Sequence, residues 1–558
     1  MGCRVGELMS KIVKGFVAMV ALGLVVPSAA IAKGEDRPHF PRCDGSPSPI
    51  PPKANGEAPA HFEWGRPQWP YRVPRVAYGE AGATACDTAL ADALLDPRYA
   101  DRKVAILRAK VLHQIAAKQD AAALLTIDQV DSAARREANY DQTVGLGTQA
   151  LRAIAFYRLN RSAEANAALA RISSARPYSA SIQSLAHSVQ MVFDPDRISR
   201  DKVLRAQAVL SPAHLNLMFW RSLSFGQFDD ALAYSRQISF DIPRSRSGWT
   251  ITGDETRKYD LIGDRASLAG AGGYALAALG RAEESTRAMA AARAEIEDSV
   301  QPPIPPESPD FKYMGGSKRK DWEKRKEAGA KASAALEDWT KAIAFRATAP
   351  RHTIKELGDM PGKPGAEAGI VITDILRQAK VGEAGDKAMA EQLITALERR
   401  NEQAVGKAMG MTFAELAESL PTVELASNKP RMRGELGPLL NDRMDAYSIS
   451  KAEDPALFNV RFGGRLTSRA ALEEAAILKA ADRAAELGKD GIIIEARRTL
   501  KRTVMYGTNP VPEGNEVRLL VRPVMIAALP PERRDAGWRV LKVADIRAAL
   551  ASKYQPER

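Results

Sequence analysis

Apolar residues recur at helical spacing along most of the chain and alternate with polar residues only near its C-terminal end. From about residue 84 to residue 300, Ala- and Leu-rich amphipathic segments are separated by short breaks, which predicts stacked helices. After residue 450 the period changes, and Phe458–Phe462 alternates as a half-buried strand does. The pattern therefore predicts a mainly α protein, an α-helical repeat-like stack followed by a small C-terminal α+β domain.

The C-terminal segment carries signals for one long helix and several strands. Ser468 can cap a helix that ends at Gly488. The apolar face of this helix consists of Leu472, Ala475, Ala476, Ile477, Ala480 and Ala484. Further strands are predicted at 491–496, 502–506 and 516–524, with a Pro/Gly loop between the last two.

Three breaks between helical segments resemble one another. They are centred on Asn160, Gly226 and Gly280, residue types that readily adopt the left-handed conformation at a helix C-terminus. Acidic residues follow each break, where they suit the positive start of the next helix. These features resemble the tetratricopeptide repeat, a helix-turn-helix unit of about 34 residues.

The resemblance implies packing roles for residues at fixed distances from the turns. Small or aromatic side chains hold the two helices of a repeat together, and a proline ends the repeat. The positions concerned are Phe156, Ala165, Pro177, Gly226, Phe228, Ala231, Pro243, Gly273, Leu276 and Gly280. Because the turns are unequally spaced and some positions depart from the pattern, the array is degenerate. The alternative is an all-helical domain with similar turns.

The C-terminal segment also resembles a known family. Its strand at Phe458–Phe462, its helix with Ser468 and Arg483–Leu487, and its strand after Asp490 are similar to small, uncharacterised bacterial envelope proteins, many of them lipoproteins. The resemblance implies an envelope protein and transfers no catalytic residue. This chain departs from the family because it has no lipidation cysteine and has isoleucines where aromatic residues are usual.

The N-terminal residues are organised like a secretory signal peptide. Arg4, Lys11 and Lys14 precede the apolar run 15–26, and Ala30–Ala32 matches a cleavage site. The run is too short for a stable membrane span, and no later segment reaches about 18 consecutive apolar residues. We therefore expect export to the bacterial periplasm, with no transmembrane span after cleavage.

Export changes the expectation for the cysteines. Cleavage after Ala32 leaves Cys43 and Cys86, and two cysteines in an oxidising compartment most simply form one disulfide. Their spacing differs from the C-x-x-C arrangement of redox-active pairs, so the predicted disulfide is structural.

Composition divides the chain into six segments. Pro and Gly are frequent before residue 84 and again after residue 300, where the basic run Lys318–Lys326 follows. The predicted order is a signal peptide at 1–32, an extended arm at 33–83, a helical repeat-like domain at 84–300, a Pro-rich and basic linker region at 301–366, a helical segment at 367–450 and a small α+β domain at 451–558.

The motifs for catalysis or cofactor binding are weak. Gly145–Ala150 matches a dinucleotide-binding fingerprint but follows no strand, and Ser317–Lys320 matches S-x-x-K without its companion motifs. His113, His187 and His214 are widely spaced along helical patterns, so we interpret them as packing or surface residues. No catalytic residue, metal or cofactor is predicted.

These observations favour a non-catalytic periplasmic interaction protein. Stacked helix pairs bind proteins or peptides on their surfaces, so the expected partner is an envelope protein or peptide, and nucleic acid is not expected. One alternative is an envelope hydrolase or glycan-processing enzyme that uses carboxylates such as Asp229/Asp230 or Glu283/Glu284. Another is adhesion to an anionic envelope surface, because 80 Lys and Arg outnumber 68 Asp and Glu.

Overall fold

A computed structural model describes most of the chain. The described residues are 37–46, 48, 76–95, 100–134, 139–193, 197–238, 254–302, 304–348, 368–378, 384–421, 429–432, 434, 446–464, 467–506 and 509–554. The predicted signal peptide, most of the predicted extended arm and Pro243 lie outside them. Described residues up to Ala133 form one compact unit, and those from Ala134 onward form a second.

The fold is mainly α with a small C-terminal α+β region, as the sequence predicts. The helices are α1 (His39–Asp44), α2 (Glu80–Ala91), α3 (Ala100–Ala116), α4 (Asp120–Ala134), α5 (Val144–Arg158), α6 (Ser162–Ala175), α7 (Ala180–Phe193), α8 (Arg197–Leu210), α9 (Ala213–Ser224), α10 (Phe228–Ser235), α11 (Asp254–Ala278), α12 (Ala282–Ser299), α13 (Gly316–Thr348), α14 (Ala368–Gln378), α15 (Ala384–Met409), α16 (Phe413–Ser419), α17 (Arg469–Glu486) and α18 (Val543–Tyr554). The strands are β1 (Tyr447–Lys451), β2 (Phe458–Gly464), β3 (Gly491–Tyr506), β4 (Asn509–Val524) and β5 (Leu541–Lys542). They form one antiparallel sheet in the order β1-β2-β4-β3-β5.

The first unit is organised around a disulfide. Cys43 and Cys86 are joined as the sequence predicts, with their Cα atoms 4.7 Å apart, and they hold α1 against α2. The buried guanidinium of Arg102 on α3 pairs with Asp44 at 2.6 Å. The short α1 is therefore fixed to α2 by a covalent link and to α3 by an ionic one.

His113 fills the space between α1, α2 and α3. Its Nδ1 accepts a hydrogen bond from the Gly79 N–H at 3.2 Å, so its Nε2 is the atom that donates to the Cys43 carbonyl at 2.7 Å. Burial lowers the pKa of this imidazole. Gly82 makes the fit possible, because a Cβ there would lie 2.0 Å from the ring. His113 is therefore a packing residue of the first unit.

The largest core of the second unit lies among α8 to α15. Phe219, Tyr274, Leu336 and Trp339 are at most 2% exposed within it. The last two belong to α13, a helix of 33 residues inside the segment predicted as a linker region. α13 packs closely on α11 because residue 270 is glycine, where a Cβ would lie 2.2 Å from Trp339 Cδ1.

The helix α17 in the C-terminal segment agrees closely with the sequence prediction. The Ser468 side chain accepts a hydrogen bond from the Ala471 N–H at 3.1 Å, and Gly488 ends the helix with φ 68°. All of the predicted apolar-face residues of α17 are fully buried against the sheet and α18, namely Leu472, Ala475, Ala476, Ile477, Ala480 and Ala484.

The strands differ from the prediction around residue 500. The predicted strands 491–496 and 502–506 are one continuous strand, β3, which shifts register between Ile494 and Ala496 and pairs with β4 along almost its whole length. The Pro/Gly residues expected in a loop lie within β4. The pairing of β2 with β4 ends at Asn515, so residues 509–514 of β4 pair only with β3. This part of β4 is therefore an edge strand, where proline and glycine are tolerated.

Within the described parts of the chain, none of the helices is both long enough and apolar enough to cross a membrane.

Candidate functional site

The three predicted turns share one backbone geometry. Asn160, Gly226 and Gly280 have φ values of 59°, 69° and 77°. In each turn the next N–H donates to a carbonyl five residues earlier, as in a Schellman motif. These bonds are Arg161 to Phe156 at 2.8 Å, Gln227 to Ser222 at 2.8 Å and Arg281 to Leu276 at 2.9 Å. The three turns therefore have the same backbone conformation.

The residue five positions after each turn packs inside its helix pair. Ala165, Ala231 and Ser285 are at most 3% exposed. Ser285 Oγ donates to the Gly273 carbonyl at 2.7 Å, and a Cβ at residue 273 would lie 2.8 Å from Met289 Sδ. Small residues at these positions allow the two helices to approach closely.

The aromatic and proline positions are less uniform. Phe228 is 9% exposed, in the largest core, whereas Phe156 and Leu276 are only half-buried. Phe156 therefore lies at the edge of its helix pair, with the Arg161 guanidinium 4.5 Å from its ring centre. Pro177 is exposed in the turn before α7.

Two turns continue with an ion pair that was not predicted from the sequence. Arg161 donates to Glu164, with an Nε–Oε2 distance of 2.5 Å, and Arg281 donates to Glu284 through Nε at 2.8 Å. These hydrogen bonds lower the pKa of both carboxyls. A fourth turn of the same geometry occurs in the first unit, at Lys118 with φ 60°.

Glu474 binds the helical layer to the C-terminal α+β region. Its carboxylate accepts hydrogen bonds from Arg176 Nε at 3.0 Å and Nη2 at 2.8 Å, and neither side chain is more than 1% exposed. Burial opposes ionisation, but the hydrogen bonds and charges of Arg176 and Lys553 together lower the pKa of Glu474. Lys553 and Tyr554 of α18 also donate to this carboxylate.

Glu473, the neighbouring carboxylate, caps α7. Its Oε2 accepts hydrogen bonds from Ser179 Oγ at 2.8 Å, the Ser181 N–H at 2.8 Å and Ser181 Oγ at 2.9 Å. Burial raises the pKa of this carboxyl, but the charges of Arg497 and Arg469 reverse the effect and lower it. The start of α7 thus depends on a residue of α17.

A polar cavity of about 270 Å³ lies beside Glu473, bordered by α7, α8, α9, α17 and β3. Its polar lining includes Gln183, Ser184, Gln207, His214, Arg469 and Arg497. Arg497 is 4% exposed and lies 2.7 Å from Glu473 Oε1, while Arg469 Nε donates to the same oxygen at 3.1 Å. Two guanidinium groups therefore share one carboxylate oxygen at the cavity wall.

The histidines near this cavity are held neutral. His214 Nδ1 must donate to the Ser211 carbonyl at 3.0 Å, because a carbonyl oxygen only accepts. Burial lowers the pKa of His214, and burial together with the His214 charge lowers the pKa of His187 to about 4. The sequence places both on helices but does not show that they lie near each other.

The other candidate chemistry is accounted for by helix structure. Asp229, Asp230, Glu283 and Glu284 lie in the first turns of α10 and α12, where carboxylates stabilise helix N-termini. The glycines of Gly145–Ala150 are buried within α5. Over the described ranges, no group of three or more His, Cys, Asp and Glu side chains is arranged to hold a metal ion.

Comparisons with known proteins found no matching family model, no matching curated protein and no matching solved structure.

Proposed function

We infer that the protein is a non-catalytic interaction protein that binds an envelope protein or peptide on the outer faces of its helix pairs. The observation that carries this proposal is that three helix pairs share the same left-handed turn and the same buried small residue. Units of this kind stack side by side and leave the outer side of each pair to solvent.

The outer faces of α6 and α12 are available to a partner. α6 buries one stripe, and on its opposite side Ala163, Ala167 and Ala170 are exposed. On α12, Ala290 and Ala294 are exposed in the same way. Because alanine side chains are small, they let the backbone of a bound segment come close to each helix.

The buried ion pairs support a scaffold role. Arg176 with Glu474 fixes the helical layer to the C-terminal region from inside the second unit, and Arg497 holds the Glu473 carboxylate that caps α7. Buried charges that are paired and hydrogen-bonded hold one geometry, which suits a surface that must keep its shape for a partner.

A periplasmic location belongs to the same proposal. It is supported by the signal-peptide pattern of the sequence and by the disulfide between Cys43 and Cys86, because disulfides persist in oxidising compartments.

An anionic envelope surface is a second candidate partner, favoured by the basic start of α13. Lys318, Arg319, Lys320 and Lys326 are exposed there. Trp322 fixes this part of the helix, since its Nε1 donates to the Val300 carbonyl at 3.0 Å. Binding through these side chains would weaken as salt is raised.

The test is a pull-down from envelope extracts with the tagged mature protein. Ala167→Arg and Ala290→Arg place a long charged side chain on the two outer faces, and Ala548→Arg makes the same change on the solvent-facing side of α18 as a control. We expect at least one of the first two variants to lose a partner that the control retains. Equal capture by all three variants would exclude these faces as the binding surface.

A further inference from the structure

The cavity beside Glu473 combines a cationic wall with a buried hydrogen-bond acceptor that has no partner among the described residues, Gln207 Oε1. Arg497 is buried, yet it lines the cavity, and its Nη1 donates to the Leu210 carbonyl at 3.2 Å. Arg469 lies at the opening with its side chain 55% exposed. Two guanidiniums against the single carboxylate of Glu473 leave this wall one positive charge in excess, so an anion is favoured there.

Gln207 supplies the second observation. It is 4% exposed and lines the cavity, and its Oε1 has no hydrogen-bond partner among the described residues. A buried oxygen without a partner is unfavourable, so a bound group that donates to it is stabilising. His214 also lines the cavity, and because its Nδ1 donates to the Ser211 carbonyl, Nε2 of the neutral ring is an acceptor.

Volume and charge restrict the class of ligand. A cavity of about 270 Å³ is slightly smaller than the usual small-molecule site of about 300–1,000 Å³, so it suits a small ligand. The excess charge of one is neutralised by a monocarboxylate, whereas a zwitterionic amino acid brings no net charge. The acceptors require a donor near the carboxylate, which a hydroxyl provides and a keto group does not. Leu210 and Ala180 give one apolar wall for a carbon side chain.

We propose that this cavity binds a small 2-hydroxycarboxylate. The carboxylate pairs with Arg469 and Arg497, and the hydroxyl donates to Gln207 Oε1. This site is separate from the outer helix faces proposed for the protein partner, so either proposal can fail without the other.

Four three-carbon acids test the proposal because they differ only at the second carbon: lactate, propionate, pyruvate and alanine. Calorimetric titration of the full mature chain should show lactate binding most tightly, with propionate and pyruvate about tenfold weaker because they lack the hydroxyl donor. Alanine should be weaker than lactate because it brings no net negative charge. Mandelate is a 2-hydroxycarboxylate with a larger apolar group, so its affinity relative to lactate shows whether the apolar group of the ligand contacts Leu210.

Two variants connect the binding to the named residues. Gln207→Met keeps the side-chain length and removes the acceptor, so lactate affinity should fall to that of propionate. Arg469→Gln should weaken every carboxylate about fivefold. Arg483→Gln is the control, because Arg483 is also exposed on α17 but pairs with Glu486. Circular dichroism and thermal unfolding confirm that each variant is folded.

Three outcomes would overturn the proposal: no heat of binding with lactate or mandelate at millimolar concentration, equal affinity for lactate and propionate, or an unchanged preference for lactate in folded Gln207→Met. Binding of a peptide with a free C-terminus, but not of lactate or mandelate, would also overturn it, since the occupant would then be a chain end. Equal capture of partners by Ala167→Arg, Ala290→Arg and the Ala548→Arg control, together with lactate binding by the unaltered protein, would contradict only the protein-binding function.

Discussion

Arg176 and Glu474 are 298 residues apart in the sequence and form a two-point ion pair that is shielded from solvent. Arg176 lies just after α6, and Glu474 lies in the first turns of α17, so the pair fastens the helical layer to the C-terminal α+β region. The helical layer and the C-terminal region also share apolar contacts, since Leu210 at the end of α8 packs in the C-terminal core.

Replacing Arg176 by methionine should strongly destabilise the second unit. The variant leaves Glu474 buried without its main partner, and the expected loss is about 3–5 kcal/mol in the free energy of unfolding. Urea denaturation followed by circular dichroism measures it. The double variant Arg176→Met/Glu474→Leu should lose less, because no charge is left buried. Arg161→Met, which breaks an exposed ion pair, should change little.

Stability should fall as the pH is lowered from 6.5 towards 4, in part because of His187. Burial gives this imidazole a pKa of about 4 in the folded protein against 6.5 when exposed, so in this window the unfolded chain takes up a proton that the folded one does not. The contribution of His187 to the free energy of unfolding is fully present above pH 6.5. It is lost as the pH falls towards 4, and it amounts to about 3 kcal/mol at most. Urea titrations at pH 7, 5.5 and 4.5 should show a smaller loss for His187→Gln. Identical pH dependence in both proteins would contradict this expectation.

Two glycines on α11 should respond in opposite ways to the same substitution. Gly270→Ala places a Cβ 2.2 Å from Trp339 Cδ1, so α13 must move, at a cost of about 1–3 kcal/mol. Gly272→Ala meets nothing within 4 Å and should be neutral or stabilising by up to about 1 kcal/mol, because alanine favours the helix. Thermal unfolding of both variants makes the comparison. Similar destabilisation by both would show that α13 does not depend on the missing side chain at 270.

Loss of the disulfide should affect the first unit. Cys43 and Cys86 are 43 residues apart, and opening a loop of this size is expected to reduce stability by about 2–4 kcal/mol. Hydrogen exchange should therefore accelerate in α2 and α3 of the double variant Cys43→Ser/Cys86→Ser, and in reduced wild-type protein. Two free thiols in unreduced, unfolded wild-type protein would refute the link.

The turns and α17 could be predicted because their signals are local. Only a few residue types adopt φ near +60° easily, so Asn160 and Gly226 mark the turns directly in the sequence. The buried face of α17 follows from its apolar spacing. The length of β3 could not be predicted, because the Pro and Gly residues of β4 suggest a loop unless its one-sided pairing is known.

The cavity and the ion pairs around it were not predictable from the sequence. Arg497, Glu473 and Gln207 are residue types that normally face solvent, and a buried apolar neighbour such as Leu472 does not show that a charged side chain beside it is buried too. Their environment is created by segments hundreds of residues apart. Phe156 differs from its prediction in the opposite direction. Its position in the predicted repeat suggested a buried side chain, but the structure leaves it half-buried.

The cap that Glu473 places on α7 has a consequence for the growing polypeptide. Ser181 meets this carboxylate only after 292 more residues have been made. A chain leaves the ribosome from its N-terminus, so the first turn of α7 emerges long before its acceptor exists. During that interval Leu210 also lacks the surface that will cover it. Products that stop short of α17 would therefore display exposed apolar residues and a frayed helix, the features by which chaperones and proteases recognise unfinished chains.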